Sequence, residues 1–114
     1  MALFKRSSGS ATREMHQEKL QDKYAKRAEC RIVDAPMRVP VRVTGEVQRQ
    51  RLVPRAGSPV LEIVISDGTA DAFALFTGRR ALGGMHHGRG VMLEGVAHME
   101  RGRRVFMNPS YTLL

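Results

Sequence analysis

From residue 38 onward, short runs of alternating apolar and polar residues are separated by glycine and proline, and this pattern restricts the chain to a β architecture. The first run places four valines on one parity and polar residues on the other: Val39, Val41, Val43 and Val47. Alternation with a period of two predicts a half-buried strand. Gly45 takes a core position in this run and predicts a bend or bulge there. Arg49, Gln50 and Arg51 extend the strand.

Four further runs predict strands two to five, at residues 60–66, 71–77, 91–97 and 105–107. Asp67-Gly68-Thr69 predicts a hairpin turn between the second and third strands. Residues 54–59 are a loop by composition, and residues 100–103 form a turn. Residues 78–90, which carry five glycines, form a crossover with at most one short helical turn. Pro109 either ends the fifth strand or lies on an edge of the sheet.

Five short strands with one long gap, between the third and the fourth, have the order of an OB-fold, a five-stranded, partly open barrel. An SH3-like barrel is the alternative, and the long third-to-fourth connection favours the OB order. The fold class predicted is therefore mainly β, an OB-fold barrel over residues 38–114 preceded by an N-terminal α-helix. The C-terminal residues 111–114 either pair with another chain or close the barrel.

The N-terminal third has a different composition. Residues 1–10 are predicted to be a flexible leader, and residues 11–37 a basic helix with its connector, because residues 11–30 contain neither glycine nor proline. The predicted helix has only a narrow apolar stripe along one side, formed by Met15, Leu20, Tyr24 and Ala28. The helix is therefore either solvated and weakly packed or an arm that becomes ordered on a partner.

The net charge is +8, from 19 basic and 11 acidic residues, and it indicates an acidic partner such as nucleic acid. No run is long enough to span a bilayer or to serve as a signal peptide, so no membrane insertion and a cytoplasmic location are predicted. Cys30 is the single cysteine, which excludes an internal disulfide and a cysteine-based zinc site.

Several of these runs resemble bacterial OB domains of the tRNA-anticodon-binding type: residues 40–47, 65–69, 73–76, 91–96 and 103–109. They are similar to the wedge OB domain of the RecG helicase, and more closely to small actinobacterial proteins with one stand-alone OB domain. The resemblance implies the OB fold and a preference for single-stranded or branched nucleic acid, and it brings no enzyme activity. The short segment 54–59 lacks the long insertion of the RecG wedge, so the resemblance does not extend to recognition of junctions.

An OB domain binds a strand across its second and third strands, between the first-to-second and fourth-to-fifth loops. The candidate nucleic-acid-binding cations on the first strand and its loop are Arg42, Arg49, Arg51 and Arg55. Those of the fourth-to-fifth loop are Arg101, Arg103 and Arg104, and the crossover adds Arg79 and Arg80. For any single arginine, the alternative to contact with nucleic acid is a side chain that is simply exposed to solvent. The convergence of two arginine clusters on one groove is the stronger evidence for binding.

Phe73 is the candidate stacking platform. Counting the hairpin from Asp67-Gly68 and placing Phe76 in the core puts Phe73 on the open face; the alternative is a core position. Because the sequence holds only six Phe or Tyr residues and no Trp, binding is expected to be largely electrostatic, sensitive to salt and weakly sequence-specific.

The sequence contains no recognisable set of catalytic residues, no phosphate-binding loop and no cofactor motif. It also predicts no metal site, because the adjacent His86 and His87 have no acidic or cysteine ligands nearby. The sequence therefore predicts a non-catalytic protein that binds single-stranded DNA or RNA. The alternative is a protein-interaction module that docks on a nucleic-acid-processing or ribosomal assembly through its N-terminal helix or its groove.

Overall fold

A computed structural model describes residues 14, 15, 17 and 30–114. The predicted leader, residues 1–10, lies outside the described residues. Most of the predicted helix also lies outside the described residues. Of this segment, the structure describes Glu14, Met15 and Gln17, which are in helical conformation, and Cys30.

Residues 30–114 form a mainly β fold, as predicted, with one short 3₁₀ helix at Ile32–Asp34 and six strands. The strands are β1 (Pro40–Arg55), β2 (Ser58–Ser66), β3 (Asp71–Phe76), β4 (Gly90–Glu100), β5 (Arg103–Met107) and β6 (Ser110–Leu113). No helix in the described part of the chain is both long and apolar enough to cross a membrane.

Five of the strands form a closed ring of hydrogen-bonded neighbours in the order β1-β2-β3-β5-β4, with β4 pairing back to β1. Four pairings are antiparallel, and β3 pairs with β5 in parallel. Parallel neighbours need a long connection, which here consists of the crossover together with β4. The five predicted strands and the long gap after the third are therefore present.

The long strand β1 serves two neighbours. Its first half, up to Glu46, pairs with β4, and the part from Glu46 onward pairs with β2. The register shifts at Gln48, because Val47 lies opposite Ile65 and Arg49 lies opposite Val64. This is a β-bulge, in which one extra residue reverses the faces to which the following side chains point.

A bend or a bulge was predicted at Gly45, and the bulge is wrong, since the register through Gly45 is regular and the shift falls after Val47. Gly45 is required for a different reason. A Cβ built on it would lie 2.8 Å from the backbone oxygen of Ser66, so the close approach of β2 leaves no room for a side chain.

The predicted loop at residues 54–59 is also wrong. Both strands continue through it and meet at a two-residue turn, Ala56-Gly57, in which both residues have positive φ (50° and 82°). This is the turn geometry that matches the twist of a hairpin. Pro54 lies opposite Pro59, one pair beyond the hydrogen-bonded pair that flanks such a turn, where no inter-strand N–H is needed.

The core lies inside the ring and is built from the inward-facing residues of all five strands. Its members include Val43, Ile63, Ala74, Leu93 and Phe106, each with at most 1% of its surface exposed. Ile32 of the 3₁₀ helix joins this core with no exposed surface.

Asp67 connects the 3₁₀ helix to the turn between β2 and β3. Its carboxylate accepts hydrogen bonds from the backbone N–H of Ile32 at 2.9 Å and of Thr69 at 2.9 Å. The segment just before β1 is therefore fixed to the ring by a buried acid as well as by apolar packing.

The C-terminal residues form β6, which pairs antiparallel with the first half of β4. Asn108 has a positive φ of 49°, and its Oδ1 accepts a hydrogen bond from the backbone N–H of Thr77 at 3.0 Å. This kink ends β5 before Pro109, as predicted, and redirects the chain along β4. The C-terminal residues, predicted to pair with another chain or to close the barrel, thus pair with β4 of their own chain, while the ring itself is closed by β4 and β1.

The crossover, residues 77–89, contains turns but no helix. Gln50 holds it against β1, because the backbone N–H of Leu82 donates to its Oε1 at 2.8 Å and its Nε2 donates to the carbonyl of Met85 at 3.1 Å.

Candidate functional site

A groove of about 840 Å³ lies on the outer face of the ring, between the β1–β2 hairpin and the β4–β5 hairpin. Residues of β2, β3 and β5 form its floor, and the ends of the two hairpins form its walls. Four arginines and two glutamates line it, so its lining has a net charge of +2: Arg51, Arg55, Arg101 and Arg103 with Glu62 and Glu100.

The bulge at Gln48 supplies one wall. Before the bulge, the odd-numbered residues of β1 point into the core. After it, Arg51 lies opposite Glu62 and Val53 opposite Val60, so the odd-numbered side chains point to the outer face, where the groove lies. The bulge therefore changes β1 from a core strand into a strand that presents arginines on the outer face.

The floor of the groove is apolar. Val60, Leu75 and Val105 form a small buried cluster on the outer face of the sheet, and Val53 and Phe73 pack against it. Phe76 belongs to the core cluster inside the ring. The predicted orientation of both rings is thus confirmed: Phe73 faces the groove and Phe76 faces the interior.

Glu62 pairs with three arginines in and beside the groove. Its side chain is only 6% exposed, and its carboxylate lies 3.0 Å from Nε of Arg51, 3.7 Å from Arg49 and 3.9 Å from Arg103. A buried carboxylate is stable only when it is paired, and here it draws together arginines from β1 and β5 that would otherwise repel one another.

A second ion pair joins the two hairpins directly. Arg55 donates two hydrogen bonds to the carboxylate of Glu100, at 2.7 and 2.8 Å, in a bidentate arrangement. These bonds lower the pKa of Glu100 to about 2 from its ordinary 4.5, with a smaller contribution from His98 at 3.3 Å. The same pairing raises the pKa of Arg55. We call this pair the clasp.

Arg101 stands at the tip of the β4–β5 hairpin, in a two-residue turn with Gly102 in which both residues have positive φ (53° and 77°). Within the described part of the chain, Arg101 has no hydrogen-bond or ion-pair partner. It is thus the groove arginine most available to a ligand.

Arg103 stacks on Phe73. Its guanidinium carbon lies 4.9 Å from the centroid of the ring, within the range of a cation–π contact. The stack combines the groove's aromatic side chain with one of its cations.

The other predicted site residues lie elsewhere. Arg42 pairs with Glu94 at 3.5 Å, and Arg79 and Arg80 are exposed on the crossover. Arg104 points away from the groove and donates to the carbonyl of Val33 at 3.2 Å. Arg49 does not line the groove, but it contacts the lining residue Glu62.

Arg104 shares β5 with Arg103, and neighbours on a strand point to opposite faces. The alternation of β5 was the signal that separates these two arginines. Glu62 and Glu100, which organise the groove, were missed. The signal for Glu62 is a single acid in the apolar run of residues 60–65, on the parity that faces outward.

Among the described residues, no three His, Cys, Asp or Glu side chains lie close enough together to hold a metal ion. Comparison of the sequence with models of known protein families and with curated proteins finds no match. The function of the chain must therefore be inferred from the geometry of the groove.

Proposed function

We propose that this protein is a non-catalytic OB-fold domain that binds single-stranded DNA or RNA in the groove. The observation that carries the proposal is the convergence of two hairpins, which bring arginines 46 or more positions apart in sequence over one apolar floor that includes Phe73.

The ring order supports the OB assignment. An OB-fold is a five-stranded Greek-key barrel that binds oligonucleotides over strands two and three, between the first-to-second and fourth-to-fifth loops. The groove of this chain is bounded by the same elements: β2 and β3 below, and the β1–β2 and β4–β5 hairpins at the sides.

The chemistry of the groove supports a single strand as the ligand. Arginine at the walls suits phosphate oxygens, and an apolar floor suits unpaired bases, which a duplex keeps stacked inside. Because backbone phosphates are the same at every position, contacts of this kind predict strong dependence on salt and little dependence on sequence.

The test is a fluorescence-anisotropy titration of the full chain with labelled oligo-dT, oligo-U and a duplex, at about 50 and about 200 mM salt. The double variant R101A/R103A removes two groove charges, and R79A/R80A removes two exposed charges outside the groove. We expect the groove variant to lose at least about tenfold in affinity for single strands, and the control to lose less than about threefold.

Equal losses in the two variants would contradict the groove as the site. Absence of binding to either single strand at low salt would contradict the function itself and favour the alternative, a protein-interaction module.

A further inference from the structure

The face of Phe73 that points toward the groove is partly covered by a cation. The ring packs against the cluster of Val60, Leu75 and Val105 on one side, and the guanidinium of Arg103 lies 4.9 Å above its centroid. A base entering the groove therefore meets Arg103 before it meets Phe73.

Arg103 is held in this position from two directions. Its Nη1 lies 3.9 Å from the buried carboxylate of Glu62, and its guanidinium carbon lies over the ring of Phe73, 4.9 Å from the centroid. The Arg103 side chain nevertheless remains 53% exposed and lines the groove. The part of the guanidinium that is turned away from Phe73 is thus open to the groove.

We propose that this part of Arg103 is the platform on which an unpaired nucleobase stacks. The proposal rests on the proposed function and names the residue that gives it contact with bases as well as with phosphates. A guanidinium is planar and delocalised, and bases stack on such planes as they do on aromatic rings. Phe73 then acts as the support beneath the platform, and Glu62 as its positioning residue.

This arrangement explains how a chain with few aromatic residues makes contact with bases. One residue supplies positive charge and a stacking surface together, so no exposed aromatic ring is required. The competing arrangement has the base displace Arg103 and stack on Phe73 directly. The two arrangements predict opposite consequences of shortening Arg103.

The experiment compares the affinity for a thymidine oligomer with that for an abasic oligomer of equal length, which has the same phosphates and no bases. The ratio of the two affinities isolates the contribution of the bases. It is measured for the unaltered chain and for R103K, R101K and R103A. Lysine keeps the charge but lacks a planar group, and R101K makes the same change at a groove arginine that does not stack on Phe73.

We expect the unaltered chain to bind the thymidine oligomer at least about fivefold more tightly than the abasic one. R103K should bring this ratio to within about twofold of one, because lysine lacks the planar group. R101K should keep the original ratio, whatever its effect on the two separate affinities. R103A should also abolish the preference.

Three results would overturn the platform while leaving nucleic-acid binding intact: a ratio near one in the unaltered chain, an unchanged ratio in R103K, or a higher ratio in R103A. The last would identify bare Phe73 as the stacking surface. Failure of both oligomers to bind at low salt would instead overturn the proposed function, and the platform with it.

Discussion

Replacing Glu100 with glutamine opens the clasp without changing the size of the side chain. Glu100 neutralises Arg55 through two short hydrogen bonds, so in the free protein this arginine is directed toward its partner hairpin. A phosphate that binds Arg55 must compete with the carboxylate. The amide of Glu100→Gln cannot form an ion pair and leaves Arg55 available.

The magnitude follows from the charges in and beside the groove. The net charge is about +3, enough to neutralise about three phosphates, because two carboxylates offset five arginines: Arg49, Arg51, Arg55, Arg101 and Arg103. For a single strand, the slope of log K against log salt is then about −2, or about a 20-fold loss between about 50 and about 200 mM.

Glu100→Gln adds one positive charge, so its slope should be steeper by about 0.7, and its loss over the same interval about 50-fold. At about 50 mM salt it should bind about two- to fivefold more tightly than the unaltered chain, which is the range of an exposed ion pair. By about 200 mM most of this advantage should be gone.

Anisotropy titrations with oligo-dT across four salt concentrations measure both quantities. Glu94→Gln is the matched control, because Glu94 also pairs with an arginine, Arg42, at 3.5 Å but outside the groove. Its slope should stay within about 0.2 of the original. The reasoning is refuted if the two variants change the slope equally, or if Glu100→Gln binds more weakly than the unaltered chain.

Two further predictions concern stability. The pKa of Glu100 is about 2 in the folded protein against an ordinary value of 4.5, so the unfolded chain takes up the proton first as the pH falls. The stabilisation from the pairing with Arg55 is therefore complete above pH 4.5 and is lost progressively toward pH 2. In urea unfolding, Glu100→Gln and the unaltered chain should differ most above pH 4.5, and the difference should disappear as the pH approaches 2. Gly45→Ala places a methyl group 2.8 Å from the backbone oxygen of Ser66 and should lower the free energy of unfolding by about 1–3 kcal/mol in a urea titration. Gly83→Ala is the control, because a methyl group there meets nothing within 4 Å, and it should change the free energy of unfolding by less than about 0.5 kcal/mol. Equal effects of the two substitutions would contradict the steric argument.

The number and order of the strands could be predicted because each strand carries its own alternation, and the turn at Asp67-Gly68 fixed the parity of the third strand. The pairing of Ser66 with Asp71 starts a register in which Phe73 faces outward, as the count from the turn predicted. These are local properties, encoded within about ten residues.

The bulge and the groove's ion pairs could not be predicted in this way. Nothing at Gln48 marks an inserted residue, since the shift is set by how β1 meets β2 after leaving β4. Glu62 and Arg103 are 41 positions apart, and Arg55 and Glu100 are 45 apart. Such contacts depend on the closed ring, which brings the two hairpins together.

The extra residue at Gln48 decides which side chains of the second half of β1 face outward. If regular pairing continued after Val47, Gln48 would lie opposite Val64, and every following side chain would change face. Arg49, Arg51 and Arg55 would then be directed inward and Gln50 outward. Deletion of Gln48 would instead remove the bulge and leave Arg49 opposite Val64, so every following side chain would keep its face. Homologous chains that keep the groove should therefore have either this bulge or a regular β1 that is one residue shorter.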